Sequence, residues 1–360
     1  MDTSQTLDEA NRPLRDESDA GIMPESRYAR QSLFAPIGQE GQRRLGAGRA
    51  LIVGCGALGT VLANNLARAG VGFLRVVDRD YVEGNNLQRQ ILFDESDALR
   101  GLPKAIAARE RLTAVNHFIT VDARVTDLTV DNVDELLDGI DVVLDGTDNF
   151  ETRYLLNDVC VKAGIPWVYS GVVAAHGVSM TIRPGVSACL RCVFPDRPLP
   201  GTSPTCDTVG VLNGVVGLIG GIASTEALKL LLGDERVAPG ILWADVWANT
   251  FERIEIPRQA DCPACGRGDY EFLDSLGDEG GAVLCGRDAV QVRPLGGGAV
   301  DLAELAERLA SVGEVASNGF LLRLRAEGHE LTVFPDGRAI IKGTHDLTEA
   351  RVLYARYIGM

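Results

Sequence analysis

The stretch RALIVGCGALGTVLANNLARAG, residues 49–70, carries the pattern that decides the fold. The apolar run 49–53 predicts a strand, and residues 58–69 predict a helix. Gly54, Gly56 and Gly59 stand at the junction, where such a turn brings the backbone close to a phosphate at the helix N-terminus. A tight turn without a ligand is the alternative. The spacing alone fits a dehydrogenase, a methyltransferase or an enzyme that splits ATP.

Further strands and helices alternate beyond this stretch. Strands are predicted at 73–78, 119–123, 141–146 and 167–171, with helices from 103 and after 149. This alternation predicts an α/β fold with a doubly wound, mostly parallel, Rossmann-like sheet. Asp78 ends the second strand, where an acid can hold ribose hydroxyls.

The ends of the chain have a different composition. Residues 1–26 are polar and acidic and predict a disordered tail. A first domain is expected over 27–272, with shorter strands from about 178, a buried helix at 213–232 and a hairpin at 241–256. A Gly- and Asp-rich linker (273–284) then leads to a small α+β domain at 285–360, with helices at 301–311 and 346–357 and strands at 289–293, 319–326, 329–334 and 338–342.

The charge balance limits the possible partners. The chain has 50 acidic and 35 basic residues, for a net charge of −15, which argues against nucleic acid or an anionic membrane as the main partner. The most apolar stretch contains Asn213, Glu226 and Lys229, so we expect a core helix rather than a membrane span. The N-terminus lacks the features of a secretion signal, so a cytoplasmic protein is expected.

Two polar segments are predicted to lie at the carboxyl ends of the strands. The segment 83–93 and the GLPK sequence supply Asn86, Arg89, Gln90 and Lys104. Cations there suit a triphosphate better than a nicotinamide cofactor. A solvated charged loop is the alternative.

The second polar segment is DGTDNFETR, 145–153, at the end of the fourth strand. Asp145 and Asp148 are expected to reach the same crevice, and a carboxylate facing a triphosphate is a magnesium ligand. The alternative is that Asp148 caps the following helix.

Eight cysteines fall into four groups. Two CxxC pairs, Cys189/Cys192 and Cys262/Cys265, predict zinc knuckles that form one closed structural zinc site. Cys55 and Cys160 are expected in the core, and Cys285 lies in or beside the linker. Cys206, in a polar loop before the apolar helix, is a candidate nucleophile, with an inert loop thiol as the alternative.

Taken together, these motifs resemble the MoeB/ThiF/HesA group, the bacterial relatives of ubiquitin-activating enzymes. The resemblance covers about residues 27–268 and rests on RYARQ, GCGALG, NNLQRQ, GLPK, DGTDN, the two CxxC pairs and TCDTVGVL, in that order. It implies an adenylyltransferase that uses ATP to activate the C-terminal glycine carboxylate of a small ubiquitin-fold sulfur carrier. A peptide substrate is the alternative within the family.

The resemblance also implies roles for individual residues. The three glycines and Asp78 would hold the nucleotide, with Gln90 beside them; Asn86, Arg89 and Lys104 would line the phosphates, and Asp148 would hold Mg²⁺. Arg30 would reach into the site of a second subunit, which implies a homodimer. Cys206 matches the family's reactive cysteine. The tail lacks a rhodanese domain with its own sulfur-carrying cysteine, so any sulfur donor is expected to be a separate protein.

The sequence is also compatible with two functions of other kinds. An NAD-dependent oxidoreductase accounts for the glycine loop and Asp78, but not for Arg89, Lys104, Asp148 and the zinc knuckles together. A non-catalytic scaffold that binds a partner keeps the fold without using the charged set.

Overall fold

The computed structural model describes residues 23–198, 205–274, 281–284, 289–293 and 298–359. These residues form an eight-stranded sheet and a six-stranded sheet, each with its own buried apolar core. The predicted tail needs a correction at its end, because Pro24–Arg27 already forms a helical turn. Residues 1–22 lie outside the described part.

The first unit is built around the eight-stranded sheet. Its elements, in chain order, are α1 (Pro24–Arg27), α2 (Ala29–Ser32), α3 (Gly38–Ala47), β1 (Arg49–Val53), α4 (Ala57–Ala69), β2 (Phe73–Val77), α5 (Glu95–Arg100), α6 (Lys104–Val115), β3 (Thr120–Arg124), α7 (Val133–Leu137), β4 (Val142–Asp145), α8 (Phe150–Ala163), β5 (Trp167–Val173), β6 (His176–Ile182), α9 (Leu190–Val193), α10 (Cys206–Val209), α11 (Asn213–Leu232), β7 (Ile241–Asp245), β8 (Thr250–Ile254) and α12 (Glu271–Asp274). A 3₁₀ turn at Gly84–Asn86 and a π turn at Pro263–Arg267 complete it.

The strand order is β3-β2-β1-β4-β5-β6-β7-β8. Strands β1 to β5 are parallel, and β6, β7 and β8 extend the sheet antiparallel. The chain order reverses beside β1, since β2 and β4 are its two neighbours. In such sheets ligands bind outside the carboxyl ends of the strands at that reversal. The predicted doubly wound, mostly parallel sheet is therefore confirmed.

Local sequence explains the central strand and its helix. Ala50, Leu51 and Ile52 are fully buried because helices cover both faces of β1. Helix α4 is followed by the C-cap Gly70, whose φ of +81° favours glycine. A Cβ there would lie 2.5 Å from the ring of Tyr28, so the same glycine also makes room for the N-terminal segment.

Helix α11 is the most apolar helix in the described part of the chain. By length and composition it is the one described helix that would also suit a membrane span. Its buried residues, from Val215 to Ala227, pack against α4 and strands β4 to β6. This packing matches the predicted core helix at 213–232.

The C-terminal unit comprises residues 281–284, 289–293 and 298–359. Its elements are β9 (Gly281–Leu284), β10 (Ala289–Val292), α13 (Leu302–Leu309), β11 (Glu314–Ser317), β12 (Leu322–Ala326), β13 (His329–Val333), β14 (Ala339–Lys342) and α14 (Leu347–Tyr357). The sheet order is β11-β12-β13-β14-β10-β9, and all pairs are antiparallel.

Two sequence expectations need correction in this region. Residues 281–284, placed in the linker, form a strand that pairs with β10, and α12 occupies 271–274. The expected strand at 319–326 is shorter, since β12 begins at Leu322, and β11 precedes it as an additional strand. Backbone pairing between β11 and β12 explains the extra strand, which has little apolar signal of its own.

Candidate functional site

Three neighbouring strands end at one place. The glycine loop follows β1, Asp78 follows β2, and the segment 146–148 follows β4. Val53 pairs with both Val77 and Asp145, so the three connections leave the sheet side by side. This arrangement assembles the candidate nucleotide site from segments far apart in the sequence.

The three glycines of the loop differ in what they do. Gly54 has a φ of +83°, and a Cβ there would lie 2.8 Å from the carbonyl oxygen of Gly146. A Cβ on Gly59 would lie 1.9 Å from the carbonyl oxygen of Gly54. Gly56 is open, because its nearest neighbour is Gln90 Nε2 at 3.9 Å. Gly54 and Gly59 therefore allow close packing, while Gly56 leaves an accessible backbone.

Gly56 is the N-cap of the 13-residue helix α4 and gives it no side-chain cap. The amide groups of a first helical turn without a side-chain cap are suited to a phosphate. The carboxamide of Gln90 faces this loop, and the residue is 4 % exposed. Its Oε1 has no hydrogen-bond partner within the described residues. An uncapped helix and an unsatisfied buried oxygen fit a polar ligand such as a nucleotide.

Asp78 is buried and holds the loop in place. Its Oδ2 accepts the Cys55 amide at 2.6 Å and its Oδ1 accepts the Asp80 amide at 2.7 Å. Burial raises the pKa of Asp78, although the ammonium of Lys104 acts in the opposite direction. Its role toward ribose stays a prediction, and the structure adds a second task, because Asp78 connects β2 to the glycine loop.

Lys104 lies beside an acid that the sequence analysis did not single out. Its Nζ is 3.3 Å from Asp80 Oδ2, and both side chains are almost fully buried. The Lys104 amide also donates to the Asp80 carbonyl at 2.8 Å. The signal was the DRD triplet, whose second acid follows Asp78 by two positions. Lys104 is thus a buried, paired cation, and its predicted contact with phosphate is untested.

The segment 83–93 is packed rather than solvated. Asn86 and Gln90 are buried, and the Ile91 amide donates to Thr60 Oγ1 at 3.2 Å. Asn86 Oδ1 accepts the Glu83 amide at 3.2 Å, so this side chain stabilises its own turn. Arg89 is half-buried, with NH1 donating to the Asn85 carbonyl at 3.0 Å. The reading of this segment as a solvated charged loop is wrong for Asn86 and Gln90.

The two acids at the end of β4 and in the loop after it have different surroundings. Asp145 is fully buried, 3.0 Å from Arg153 Nε, and accepts the Thr147 hydroxyl at 2.6 Å. Burial raises the pKa of Asp145 against the effect of Arg153. Asp148 is exposed. The expectation that Asp145 reaches the crevice beside Asp148 is therefore corrected, because Arg153 and Thr147 engage its carboxylate. Arg153 lies in the segment 145–153, but nothing in the sequence pattern indicates its pairing with Asp145.

The capping alternative for Asp148 is wrong. Helix α8 begins at Phe150, and its N-cap is Asn149, whose Oδ1 accepts the Thr152 amide at 2.8 Å. Asp148 remains the candidate magnesium ligand. The four cysteines are the one group of three or more potential ligands that the described residues bring together. A magnesium ion at Asp148 would thus depend on phosphate oxygens and water, which is common for this ion.

The four CxxC cysteines meet although the pairs are far apart in the sequence. All four Sγ atoms lie within 4.8 Å of one another, with 3.5 Å between Cys189 and Cys262 and 3.4 Å between Cys192 and Cys265. A tetrahedral zinc with Zn–S bonds of about 2.3 Å requires S···S distances of about 3.8 Å. Burial raises the pKa of Cys265 to about 11, so metal binding would displace protons. The donor set and spacing fit a structural zinc site.

The other described cysteines lie either in the core or at the start of a short helix. Cys55 and Cys160 are fully buried, as expected for core residues. Cys206 is half-buried at the start of the one-turn helix α10, and its Sγ donates to the Val172 carbonyl at 3.4 Å. The one-turn helix α10 has a weaker dipole than the long helix α11 that follows it. Its nucleophilic role is untested, and Cys285 lies outside the described residues.

Arg30 is exposed while its neighbours in RYARQ are anchored. Tyr28 is buried and its hydroxyl accepts Asn116 Nδ2 at 2.7 Å. Gln31 Nε2 donates to the Ala69 carbonyl at 2.8 Å. The segment therefore holds Arg30 outward from the sheet on a fixed backbone. This position is compatible with the predicted contact to a second subunit, which stays a prediction.

Comparisons with known proteins bear on the family and the fold of this chain. The sulfur carrier protein ThiS adenylyltransferase of Bacillus subtilis is 43% identical over 338 residues, which cover 92% of this chain and 99% of that protein. The SAMP-activating enzyme E1 of Haloferax volcanii is 41% identical over 251 residues, covering 69% of this chain and 92% of that enzyme. The solved structure of E. coli MccB with ATP shares the fold, with a TM-score of 0.58 and 20% identity over 67% of this chain and 74% of that one. The ThiF family model matches residues 28–264, and the chain belongs to the ThiF family.

Proposed function

We propose that this protein uses ATP to adenylate the C-terminal glycine carboxylate of a small ubiquitin-fold sulfur carrier. One observation carries the proposal: the open glycine loop, the Asp80–Lys104 pair and exposed Asp148 follow neighbouring strands of the same sheet or pack against them. The relative that is 43% identical is named as an adenylyltransferase of the sulfur carrier ThiS. Both features favour adenylation over hydride transfer.

The proposed reaction is a single displacement at phosphorus. A carboxylate oxygen of the carrier forms a bond to the α-phosphorus of ATP, and the bond from that phosphorus to the bridging oxygen of pyrophosphate breaks. A glycine carboxylate is ionised at pH 7, so no general base is required. The remaining task is to align the groups and neutralise spread negative charge.

Particular residues are suited to that task. The amides after Gly56 would bind phosphate oxygens, and Lys104 and Arg89 would supply positive charge. Asp148 would hold Mg²⁺, which supplies charge neutralisation on the phosphates when bound. Asp80 lowers the cost of burying the Lys104 ammonium by pairing with it at 3.3 Å.

The proposal includes four further elements. Zinc would occupy the four-cysteine site as a structural ion. Arg30 would act across a homodimer, and Cys206 would take part after adenylation. A separate protein would supply sulfur. The enzyme would work in the cytoplasm, where thiols such as those of the zinc site stay reduced.

Exchange of labelled pyrophosphate into ATP tests the function directly. Wild-type protein with Mg²⁺ and a ubiquitin-fold carrier ending in Gly-Gly is expected to catalyse exchange. Asp148→Ala is expected to reduce exchange at least about 100-fold, while its urea-unfolding midpoint stays unchanged because the residue is exposed. Asp131→Ala is the matched control, since Asp131 is also an exposed turn aspartate on the same unit.

The outcomes separate the competing functions. Exchange supported by a short peptide but by no Gly-Gly carrier would move the substrate to the peptide class. Reduction of NAD coupled to oxidation of an added substrate, without exchange, would establish an oxidoreductase. ATP binding with neither reaction would leave a binding scaffold.

A further inference from the structure

The C-terminal unit contacts the segment 79–83, which directly follows Asp78. Lys342 Nζ lies 2.5 Å from Glu83 Oε1. Arg338 NH1, from a side chain that is 2 % exposed, donates to the Arg79 carbonyl at 3.0 Å. These contacts join β14 and the residue before it to the loop that leaves β2 of the other sheet.

The interface is apolar as well as polar. Tyr81 packs in a buried cluster with four apolar side chains of the C-terminal unit: Ala289, Leu321, Phe334 and Ile340. The guanidinium of Arg323 lies 4.2 Å from the centroid of the Tyr81 ring. A buried apolar cluster holds two units in one arrangement, unlike a flexible tether.

Asp127 provides a third point of attachment. It follows β3 and pairs with Arg79 at 3.0 Å within its own unit. From the C-terminal unit, Gln291 Nε2 donates to Asp127 Oδ2 at 2.7 Å, and Arg293 NH2 also contacts it. The carboxylate therefore connects both units to the backbone beside Asp78.

The C-terminal unit also contacts the segment that precedes Lys104. Asn318 Nδ2 donates to the carbonyls of Arg100 and Gly101, at 2.8 Å and 3.1 Å. This segment runs beside 79–83, since the Val82 amide donates to the Leu102 carbonyl at 2.8 Å. The C-terminal unit therefore contacts both backbone segments that flank the Asp80–Lys104 pair, 79–83 and 100–101.

We propose that the C-terminal unit is a positioning element of the nucleotide site, acting through the Lys342–Glu83 pair and its neighbours. This inference rests on the proposed function, because it assigns ATP to the glycine loop and Lys104. Glu83 and Asn86 exchange two hydrogen bonds, with the Asn86 amide 2.9 Å from the Glu83 carbonyl. Lys342 therefore stabilises the turn that leads to Arg89 and Gln90, as well as the loop that carries Asp80.

The test uses full-length variants and measures the dissociation constant of ATP without any carrier. Lys342→Met is expected to weaken ATP binding at least about tenfold, since small displacements of positioning groups have effects of that order. Lys342→Arg keeps the cation and is expected to retain affinity. The double variant Glu83→Gln/Lys342→Met is expected to bind ATP no more weakly than whichever single variant binds ATP less tightly. The reason is that both changes break the same Lys342–Glu83 pair.

The matched control is Arg356→Met. It breaks an exposed ion pair of the same unit, between Arg356 and Glu327 at 2.7 Å, without touching residues 79–104. It is expected to leave ATP affinity unchanged. Steady-state exchange should show the Lys342→Met effect in KM for ATP, while KM for the carrier stays constant. If Lys342 only stabilised the fold, Lys342→Met would change KM for ATP and KM for the carrier together.

The possible failures are distinguishable. Wild-type ATP affinity in Lys342→Met, with carrier-dependent exchange intact, would overturn the positioning role and leave the function standing. ATP binding by the wild type without exchange, combined with weaker binding in Lys342→Met, would overturn the carrier assignment and support the positioning role. Absence of ATP binding in the wild type would overturn both.

Discussion

Gly56 and Gly59 belong to the same glycine motif, but we expect substitution by alanine to affect them differently. At Gly59 the added Cβ would lie 1.9 Å from the carbonyl oxygen of Gly54, about 1.5 Å inside an ordinary contact. The obstructing atom belongs to the backbone and has no room to retreat. Gly54 donates its amide to the Val77 carbonyl at 2.8 Å, and it already packs against Gly146.

The expected magnitude follows from this geometry. Overpacking a tight site costs about 1–3 kcal/mol and sometimes more, and a backbone obstacle places Gly59→Ala at the upper end, about 3 kcal/mol. At Gly56 the nearest atom is 3.9 Å away and φ is −85°, so alanine should change the free energy of unfolding by less than about 1 kcal/mol. The Gly56 methyl would instead face the proposed phosphate position and weaken ATP binding about tenfold or more.

Urea unfolding and titration with ATP measure the two effects separately. We expect Gly59→Ala to lower the unfolding midpoint clearly, and Gly56→Ala to keep the midpoint but lose ATP affinity. Equal midpoints for Gly59→Ala and wild type would refute the close approach of α4 to the loop. Unchanged ATP affinity in Gly56→Ala would refute the assignment of phosphate to this helix terminus.

Two further predictions concern the metal site and the contact between the units. Cys262→Ser should lose the zinc that we expect at about one ion per chain, and should melt at lower temperature; Cys206→Ser, outside the cluster, should keep the metal, and equal zinc contents in both variants would contradict the four-cysteine site. Burial acts to raise the pKa of Asp127, but Arg79, Arg338 and Arg293 hold that pKa at about 2. Because this pKa is lower in the folded state than its ordinary value, ionised Asp127 stabilises the folded state by about 2 kcal/mol. This stabilisation is present above pH 4 and is lost as the pH falls toward 2. The stability difference between wild type and Asp127→Asn should therefore be full at pH 6 and about half as large at pH 3, and a difference independent of pH would contradict the pairing.

The local parts of the site were predictable because they depend on neighbouring residues. An apolar run, a glycine turn and a helix within 49–70 predict strand β1, the loop and helix α4 by periodicity and turn chemistry alone. The spacing within CxxC likewise predicts that two thiols share one site. These features need no knowledge of how distant segments pack.

The partners of the charged residues were not predictable in the same way. Asp145 and Asp148 look equivalent in DGTDN, yet the first is fully buried against Arg153 and the second is exposed. Lys104 was expected as a cation for phosphate, and its pairing with Asp80 depends on the close approach of segments 79–83 and 100–104. Burial and pairing are properties of packing, which pattern alone does not specify.

By itself, the sequence determined the fold class, the glycine turn, the two thiol pairs and the family resemblance, because each is encoded by residues a few positions apart. The sequence predicted that the two thiol pairs share one site, but tertiary structure alone decided which thiols lie next to each other, with Cys189 Sγ 3.5 Å from Cys262 Sγ across 73 positions. Tertiary structure alone also decided that the C-terminal unit contacts the loop beside Asp78. Both contacts close long segments of chain, and the free energy that offsets the lost chain entropy comes from surfaces buried only when the whole protein folds.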